Sequence, residues 1–219
     1  CAFMDHYSPK TVFSSIDKLG RYSFANQPPI IKWNLSRFAE CLIPLIDKNE
    51  DTAIKIANEI IENFEKIYKK KWLNMMRDKL GLFGEDTNDG ELIRNLLSWM
   101  ENNKADYTNT FCYLMNIKLN DSEIYNDKDF INWLDIWKKR SLMNNNSKKK
   151  QLHIMRNVNP SVIPRNHKVE EALAAANEGN LKVMNKLLSV LSKPYDDQKG
   201  IEEYQSPSGN KEYQTFCGT

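Results

Sequence analysis

Residues 20–35, GRYSFANQPPIIKWNL, hold the densest group of side chains that could bind a partner. Arg21, Asn26 and Gln27 can each form more than one hydrogen bond, and they lie among aromatic residues and two prolines. Loops of this kind often carry binding residues on a rigid scaffold. The same side chains could instead pack the loop on the next helix and satisfy its backbone polar groups. Residue types alone leave both interpretations open.

The spacing of potential metal ligands does not indicate a metal site. In GEDTNDGE, a calcium loop with Gly90 at its sixth position would need an acid where Leu96 stands. The histidines His6, His153 and His167 are far apart, and none is paired at i+3 or i+4 with another ligand type. We therefore expect no metal ligand in this chain.

The four cysteines form no CxxC signature, and they stand at positions 1, 41, 112 and 217. Cys41 and Cys112 lie in apolar segments, where we expect them to be buried as small hydrophobic side chains. Cys1 and Cys217 lie at opposite ends of the chain in irregular sequence. A Cys–His nucleophile pair is not excluded by the sequence, but no local context supports one.

Apolar residues spaced by three and four predict helices throughout the chain. The first predicted helix begins near Ile30, and a long second one runs from a cap at Asp51 or Thr52 to a stop at Gly81. The apolar faces expected to be buried comprise Ile31, Leu35, Phe38, Leu42 and Leu45 in the first helix, and Ile56, Ile60, Phe64, Ile67 and Leu73 in the second.

Further along, the pattern predicts three more helices and then a helical hairpin. Capping boxes at 88–91 and 126–129 begin two of the helices, and the third lies within 106–117. Residues 143–151 are polar and read as a linker or exposed loop, and the hairpin turns at Gly179. From Lys193 we expect an extended tail. With no alternating strand pattern, the prediction is an all-α chain.

Composition excludes several classes of protein. The 31 basic residues nearly balance the 29 acidic ones, so we expect neither nucleic acid nor an anionic membrane as partner. Eight glycines leave no place for a glycine-rich phosphate loop, and no apolar run reaches membrane-spanning length. We also expect a monomer. The start at Cys1 instead of Met suggests a fragment.

Several ordered blocks resemble the selenoprotein O family of YdiU-type protein adenylyltransferases. Residues 1–46 are similar to the segment in which FxDxY, SSID, GRYxxxNQP and WNL follow in that order. The later stretches KLGL, DYTNTF, NPSVIPRNHKVEEA, ANEGN and PYDDQ resemble further blocks, and a cysteine stands third from the end. The resemblance covers essentially the whole chain.

This resemblance implies a kinase-like α+β parent protein that transfers AMP from ATP to hydroxyl groups of protein substrates. Such chemistry uses Mg²⁺ and charge-stabilising groups, and in the family these ligands precede the point where this chain begins. It implies no catalytic, ATP-binding or metal-binding residue here, and a fragment inactive by itself. The family also implies a cytoplasmic protein if bacterial and a mitochondrial one if eukaryotic.

The resemblance divides the chain into three parts. Residues 1–50 would be the activation-segment equivalent and first C-lobe helix, 51–160 a C-lobe helical bundle, and 161–219 a helical hairpin with an extended tail. Arg21, Asn26 and Gln27 would brace the activation segment, and Asp5 would anchor its start.

The terminal cysteines gain a redox interpretation from the same resemblance. If the tail folds back on the activation segment, Cys1 and Cys217 could form a disulfide that makes activity redox dependent. A frayed tail with a free thiol is the alternative.

Two other functions stay open. The chain could be a non-catalytic helical module that binds proteins. Nucleic-acid binding would require the basic runs 69–71, 138–140 and 148–150 to form one face, and the lack of interleaved aromatic residues argues against it.

Overall fold

A computed structural model describes residues 2–120, 122–143 and 147–208. Within these ranges the chain is helical and contains no strand, which confirms the all-α prediction. Short 3₁₀ turns at Phe24–Asn26 and Glu123–Asn126 precede two of the helices. The helices are α1 (Gln27–Ile46), α2 (Glu50–Leu80), α3 (Asp89–Asn103), α4 (Tyr107–Leu114), α5 (Lys128–Ser141), α6 (Lys148–Val158), α7 (Asn166–Asn177), α8 (Lys182–Leu191) and α9 (Glu202–Gln205).

Helices α1 and α2 pack side by side as a hairpin. The Asn49 side chain caps α2 by accepting the Thr52 N–H at 2.9 Å, so the predicted cap at Asp51 or Thr52 was wrong. Gly81 ends α2 as predicted, in a left-handed conformation with φ 63°.

The predicted buried face of α1 was wrong, because no residue of α1 is buried. Among the described helices, α2 makes most of the contact with α1, and one neighbour cannot cover a whole apolar face. Cys41 is exposed for the same reason. We call the following group the exposed apolar set of α1 and α2: Ile31, Trp33, Leu35, Phe38, Leu45, Ile54, Ile56, Ile60 and Ile67.

The main core joins the C-terminal part of α2 to α3, α4, α5 and α6. Two of its buried indoles donate to backbone carbonyls, Trp133 Nε1 to Leu92 at 2.8 Å and Trp137 Nε1 to Leu80 at 2.9 Å, and Trp99 Nε1 donates to Asp127 Oδ1 at 2.7 Å. Cys112 is buried in this core, as predicted.

Local details of three helix starts differ from the prediction. Asp127, instead of Asn126, caps α5 by accepting the N–H groups of residues 129 and 130. Asn88 makes no side-chain cap at α3. The predicted linker over 143–151 is wrong from Ser147 onward, where Ser147 caps α6 and Gln151 is already buried against the core.

A second, smaller cluster packs the α7–α8 hairpin against the tail. The hairpin was predicted correctly, with Gly179 at φ 82° in its turn. The prediction of a wholly extended tail was wrong, because Ile201 and Tyr204 are buried in this cluster and α9 forms. None of the helices within the described ranges is long and apolar enough to cross a membrane.

Candidate functional site

The loop before α1 is fixed on the start of α4 by backbone hydrogen bonds. Tyr107 N–H donates to the Asp5 carbonyl at 2.8 Å, and Tyr7 N–H donates to the Ala105 carbonyl at 3.0 Å. The Tyr7 and Tyr107 rings also stack, with their centroids 5.8 Å apart. These contacts hold the beginning of the loop in one position on the helical core.

Arg165, from the NPSVIPRN stretch before α7, is the centre of a buried polar cluster and is 1% exposed. Its Nη1 donates to Asp5 Oδ1 and to Asp106 Oδ2, both at 2.7 Å. Its Nη2 donates to Asp106 Oδ1 at 3.2 Å, to Asn109 Oδ1 at 3.1 Å and to the Gln205 carbonyl. One guanidinium therefore joins the N-terminal loop, α4 and the C-terminal segment.

This Arg165 cluster combines one cation with two carboxylates. Burial raises the pKa of the Asp106 carboxyl, and the charge and hydrogen bonds of Arg165 oppose that rise. Burial by itself would lower the pKa of Arg165, but Asp106 and Asp5 outweigh burial and raise it, so the guanidinium stays charged. Each member depends on the others, because an unpaired buried charge is strongly unfavourable.

The predicted site residues lie at both ends of the loop. Asp5 lies in the Arg165 cluster. Asn26 Nδ2 donates to the Gly20 carbonyl at 2.8 Å and closes the last turn of the loop. The Arg21 guanidinium lies 4.8 Å from the Trp33 ring centroid, which connects the loop to α1. Gln27 is the first residue of α1 and is exposed.

A cavity lies beneath this loop, and we call it the Lys79 cavity. Its volume is about 320 Å³, and Gln27, Lys79, Tyr107 and Asn159 are among the residues that line it. Lys79 is only 9% exposed, which is unusual for a lysine. The sequence reasoning missed it, although its place in the last turn of α2, next to the apolar Leu80, was a usable signal.

The stretches that carry the resemblance meet at this place. Asp5, Lys79, Asp106, Asn159 and Arg165 come from four blocks that are far apart in the sequence, and the last two residues share the NPSVIPRNHKVEEA block. In the structure they surround either the Arg165 cluster or the Lys79 cavity, and Tyr107 and Thr108, directly after Asp106, also line the cavity. The sequence reasoning had named only Asp5 of these five.

A second buried ionic cluster lies elsewhere in the core and was also missed. The completely buried Asp89 accepts Arg77 Nε at 2.6 Å and Arg140 Nε at 2.7 Å. Burial alone would raise the pKa of Asp89, but the bonds from Arg140 and Arg77 outweigh it and lower the pKa below its usual value. Because these partners join α2, α3 and α5, the cluster has a structural role.

The described residues offer no cluster suited to a resident metal. Within residues 2–120, 122–143 and 147–208, no three His, Cys, Asp or Glu side chains are grouped to hold an ion. Burial raises the pKa of the Cys112 thiol to about 12, so it is no ready nucleophile. Cys1 and Cys217 lie outside the described residues.

Comparison with known proteins gives one consistent family. A family model described as protein adenylyltransferase SelO matches residues 1–192. The chain is 58% identical over 221 residues to the protein nucleotidyltransferase YdiU of Pelagibacter ubique, covering 100% of this chain and 46% of that protein. Proteins of the same name from Nitrosococcus oceani and Alkaliphilus metalliredigens are 48% and 49% identical over 222 residues, and the chain covers 45% of each. The chain thus spans less than half the length of these curated relatives.

Proposed function

Because this chain belongs to the protein adenylyltransferase SelO family of nucleotidyltransferases, we propose that a longer protein carrying it transfers AMP from ATP to hydroxyl side chains of protein substrates. The observation that carries the proposal is the family match along residues 1–192. In this proposal the chain alone is inactive, because the ligands of ATP and Mg²⁺ would lie in the rest of the longer protein.

In this proposal the N-terminal loop is the activation-segment equivalent, the part that faces the protein substrate. A substrate-facing loop must keep one position, because a small misplacement of the acceptor hydroxyl strongly slows group transfer. The Arg165 cluster supports this role at Asp5, and the Asn26–Gly20 bond supports it near α1. Arg21 and Gln27 would hold the end of the loop at α1.

Bound ATP and Mg²⁺ would supply the transferred group and neutralise the charge on its phosphates. Their ligands would lie in the rest of the longer protein, which is consistent with the chain's share of its relatives. The residues of this chain would position the substrate and the loop.

The test is the intact mass of the longer protein and of a substrate protein after incubation with ATP and Mg²⁺. We expect a mass increase equal to one AMP on a hydroxyl side chain. Mass spectrometry of this 219-residue chain under the same conditions should show none. A complete, folded protein that produces no adduct under any condition would refute the proposal.

Gln27→Ala in the longer protein tests the loop directly. We expect AMP transfer to fall by more than the change in thermal stability explains, because Gln27 is exposed and contributes little to the core. Asn58→Ala, at an exposed position of α2, is the matched control and should leave transfer unchanged. Equal losses of activity and stability in the Gln27 variant would leave only a packing role.

Redox control remains part of the proposal. A disulfide between Cys1 and Cys217 would restrain the loop, so transfer should rise on addition of a reductant and become insensitive to it in a Cys217→Ser variant. Transfer that is the same with and without reductant would contradict a cysteine switch.

A second candidate function is a non-catalytic helical module that binds proteins. The exposed apolar set of α1 and α2 favours it, since Phe38 is 59% and Ile60 65% exposed. In the longer protein the same side chains could be covered by the added segment. Covalent labelling of these side chains in the longer protein separates the two functions. Protection from labelling favours the enzyme, and continued labelling favours the module.

A further inference from the structure

The Lys79 cavity contains a buried cation among aromatic groups. Lys79 Nζ lies 4.2 Å from the Phe111 ring centroid and 5.3 Å from that of Tyr107. No carboxylate of the described residues forms an ion pair with it. The apolar and aromatic part of the lining includes Phe3, Phe13, Phe24, Tyr107, Phe111 and Ile163.

Asn159, another residue of the cavity lining, carries an unsatisfied acceptor. The residue is 1% exposed, and its Nδ2 donates to the Lys79 carbonyl at 2.8 Å. Its Oδ1 has no hydrogen-bond partner within the part of the chain that the structure describes. Buried polar atoms without a partner are rare in native proteins, so each requires an explanation.

Neither the Lys79 ammonium nor the Asn159 Oδ1 atom has a described partner that fully offsets the cost of its burial. Burial of a charge without an opposite charge is unfavourable, and contact with two aromatic rings offsets only part of that penalty. An apolar residue at position 79 would pack against the same rings without the penalty. A lysine and an amide with an unsatisfied oxygen among the residues of one cavity lining are, by contrast, the few placed polar groups typical of a small-molecule site.

The charges of the lining define the class of ligand. Among the described residues, Lys79 is the only charged side chain of the lining, and Tyr107 is the only other titratable one, with a pKa raised by burial. A singly charged carboxylate therefore matches the cavity better than a phosphate, whose second charge would be unpaired and poorly solvated. The aromatic walls fit an apolar body.

We propose that the Lys79 cavity binds a small organic acid with an aromatic or aliphatic body. Its carboxylate pairs with the Lys79 ammonium, and a hydroxyl or amide N–H donates to Asn159 Oδ1. The site does not depend on AMP transfer, so it can be tested on this chain by itself.

The test is an NMR titration of the 219-residue chain with 4-hydroxyphenylacetate, which has the carboxylate, the ring and the donor. Phenylacetate lacks the donor, and 4-hydroxyphenylacetamide lacks the charge. We expect saturable shifts around Lys79 and Phe111 with the acid. The amide should bind at least tenfold more weakly and phenylacetate several-fold more weakly.

Lys79→Met should abolish the preference for the acid over the amide, and Lys70→Met, at an exposed position of the same helix, should preserve it. Spectral dispersion checks that both variants fold. A measurement on the unmodified chain does not depend on any variant: the Lys79 ¹³Cε resonance should report a rise in the lysine pKa when the acid is added.

Three results would overturn the proposal. The first is equal binding of the acid and the amide, and the second is a Lys79 resonance that does not respond to the acid. The third is the absence of any saturable shift at acid concentrations up to roughly 10 mM, which would mean affinity too weak for a specific site.

Discussion

Replacing Lys79 by Met should stabilise the folded chain at neutral pH. Met preserves most of the apolar stem and removes the charge that the core desolvates. Burial lowers the pKa of Lys79 from 10.5 to about 8, a difference equivalent to about 3 kcal/mol against the charged form. The contacts with Phe111 and Tyr107 oppose this by about 1–2 kcal/mol. We therefore expect the variant to be about 1–3 kcal/mol more stable at pH 7.

The pH dependence of this gain identifies its cause. Between pH 8 and 10.5 the unfolded lysine still holds its proton and the folded one has lost it. The unfolded state then binds more protons, so the stability of the unmodified chain rises with pH across this range. The advantage of the Met variant should be full below pH 8 and shrink toward pH 10.5.

Urea unfolding of both proteins, followed by circular dichroism from pH 7 to 10.5, measures this difference. Subtracting the two unfolding free energies at each pH cancels the titration of the groups that the two proteins share, including the buried tyrosines. Lys70 is exposed, so the difference in stability between the Lys70→Met variant and the unmodified chain should not shrink with pH in this way. A stability difference that stays constant with pH, or a Met variant that is less stable at pH 7, would refute the reasoning that the charge is penalised by burial.

Three further substitutions test the packing and the ionic clusters. Gly81→Ala should lose about 1–3 kcal/mol more in urea unfolding than Gly179→Ala, because both disturb a left-handed residue but only the new methyl at Gly81 overlaps neighbouring side chains. Arg165→Met should cost about 3–5 kcal/mol in the same assay, because Asp106 then remains buried without its cation. Asp89→Asn should cost a similar amount at neutral pH. The Asp89 pKa is lowered on folding, so the stabilisation by its carboxylate is lost as pH falls below about 4. The variant lacks this carboxylate, so its stability should fall less steeply with acidification than that of the unmodified chain.

Distinct results would contradict each of these expectations. Equal losses at the two glycines would mean that the side chains around Gly81 move aside without penalty. A stable Arg165 variant with a neutral Asp106 would mean that the cation is not required. An unchanged acid titration in the Asp89 variant would mean that other carboxylates dominate acid unfolding.

Periodicity and turn residues were sufficient for much of the fold. The long α2 with its stop at Gly81, and the α7–α8 hairpin, depend on contacts within one helix or one turn, so local sequence predicts them. Helix α6 was missed because its first residues are a run of lysines, which local reasoning reads as a loop. Its apolar side, including Met155, is recognisable only once the core it contacts is known.

The sequence by itself determined the all-α class, the family and the position of the N-terminal loop, since these follow from local periodicity and from ordered blocks of residues. Tertiary structure alone decided which charged side chains are buried. Arg165, Asp106 and Asp5 are separated by long stretches of chain, and their contact exists only after α4 and the segment before α7 pack together. The burial of Lys79 is decided in the same way, because desolvation depends on neighbours from distant segments.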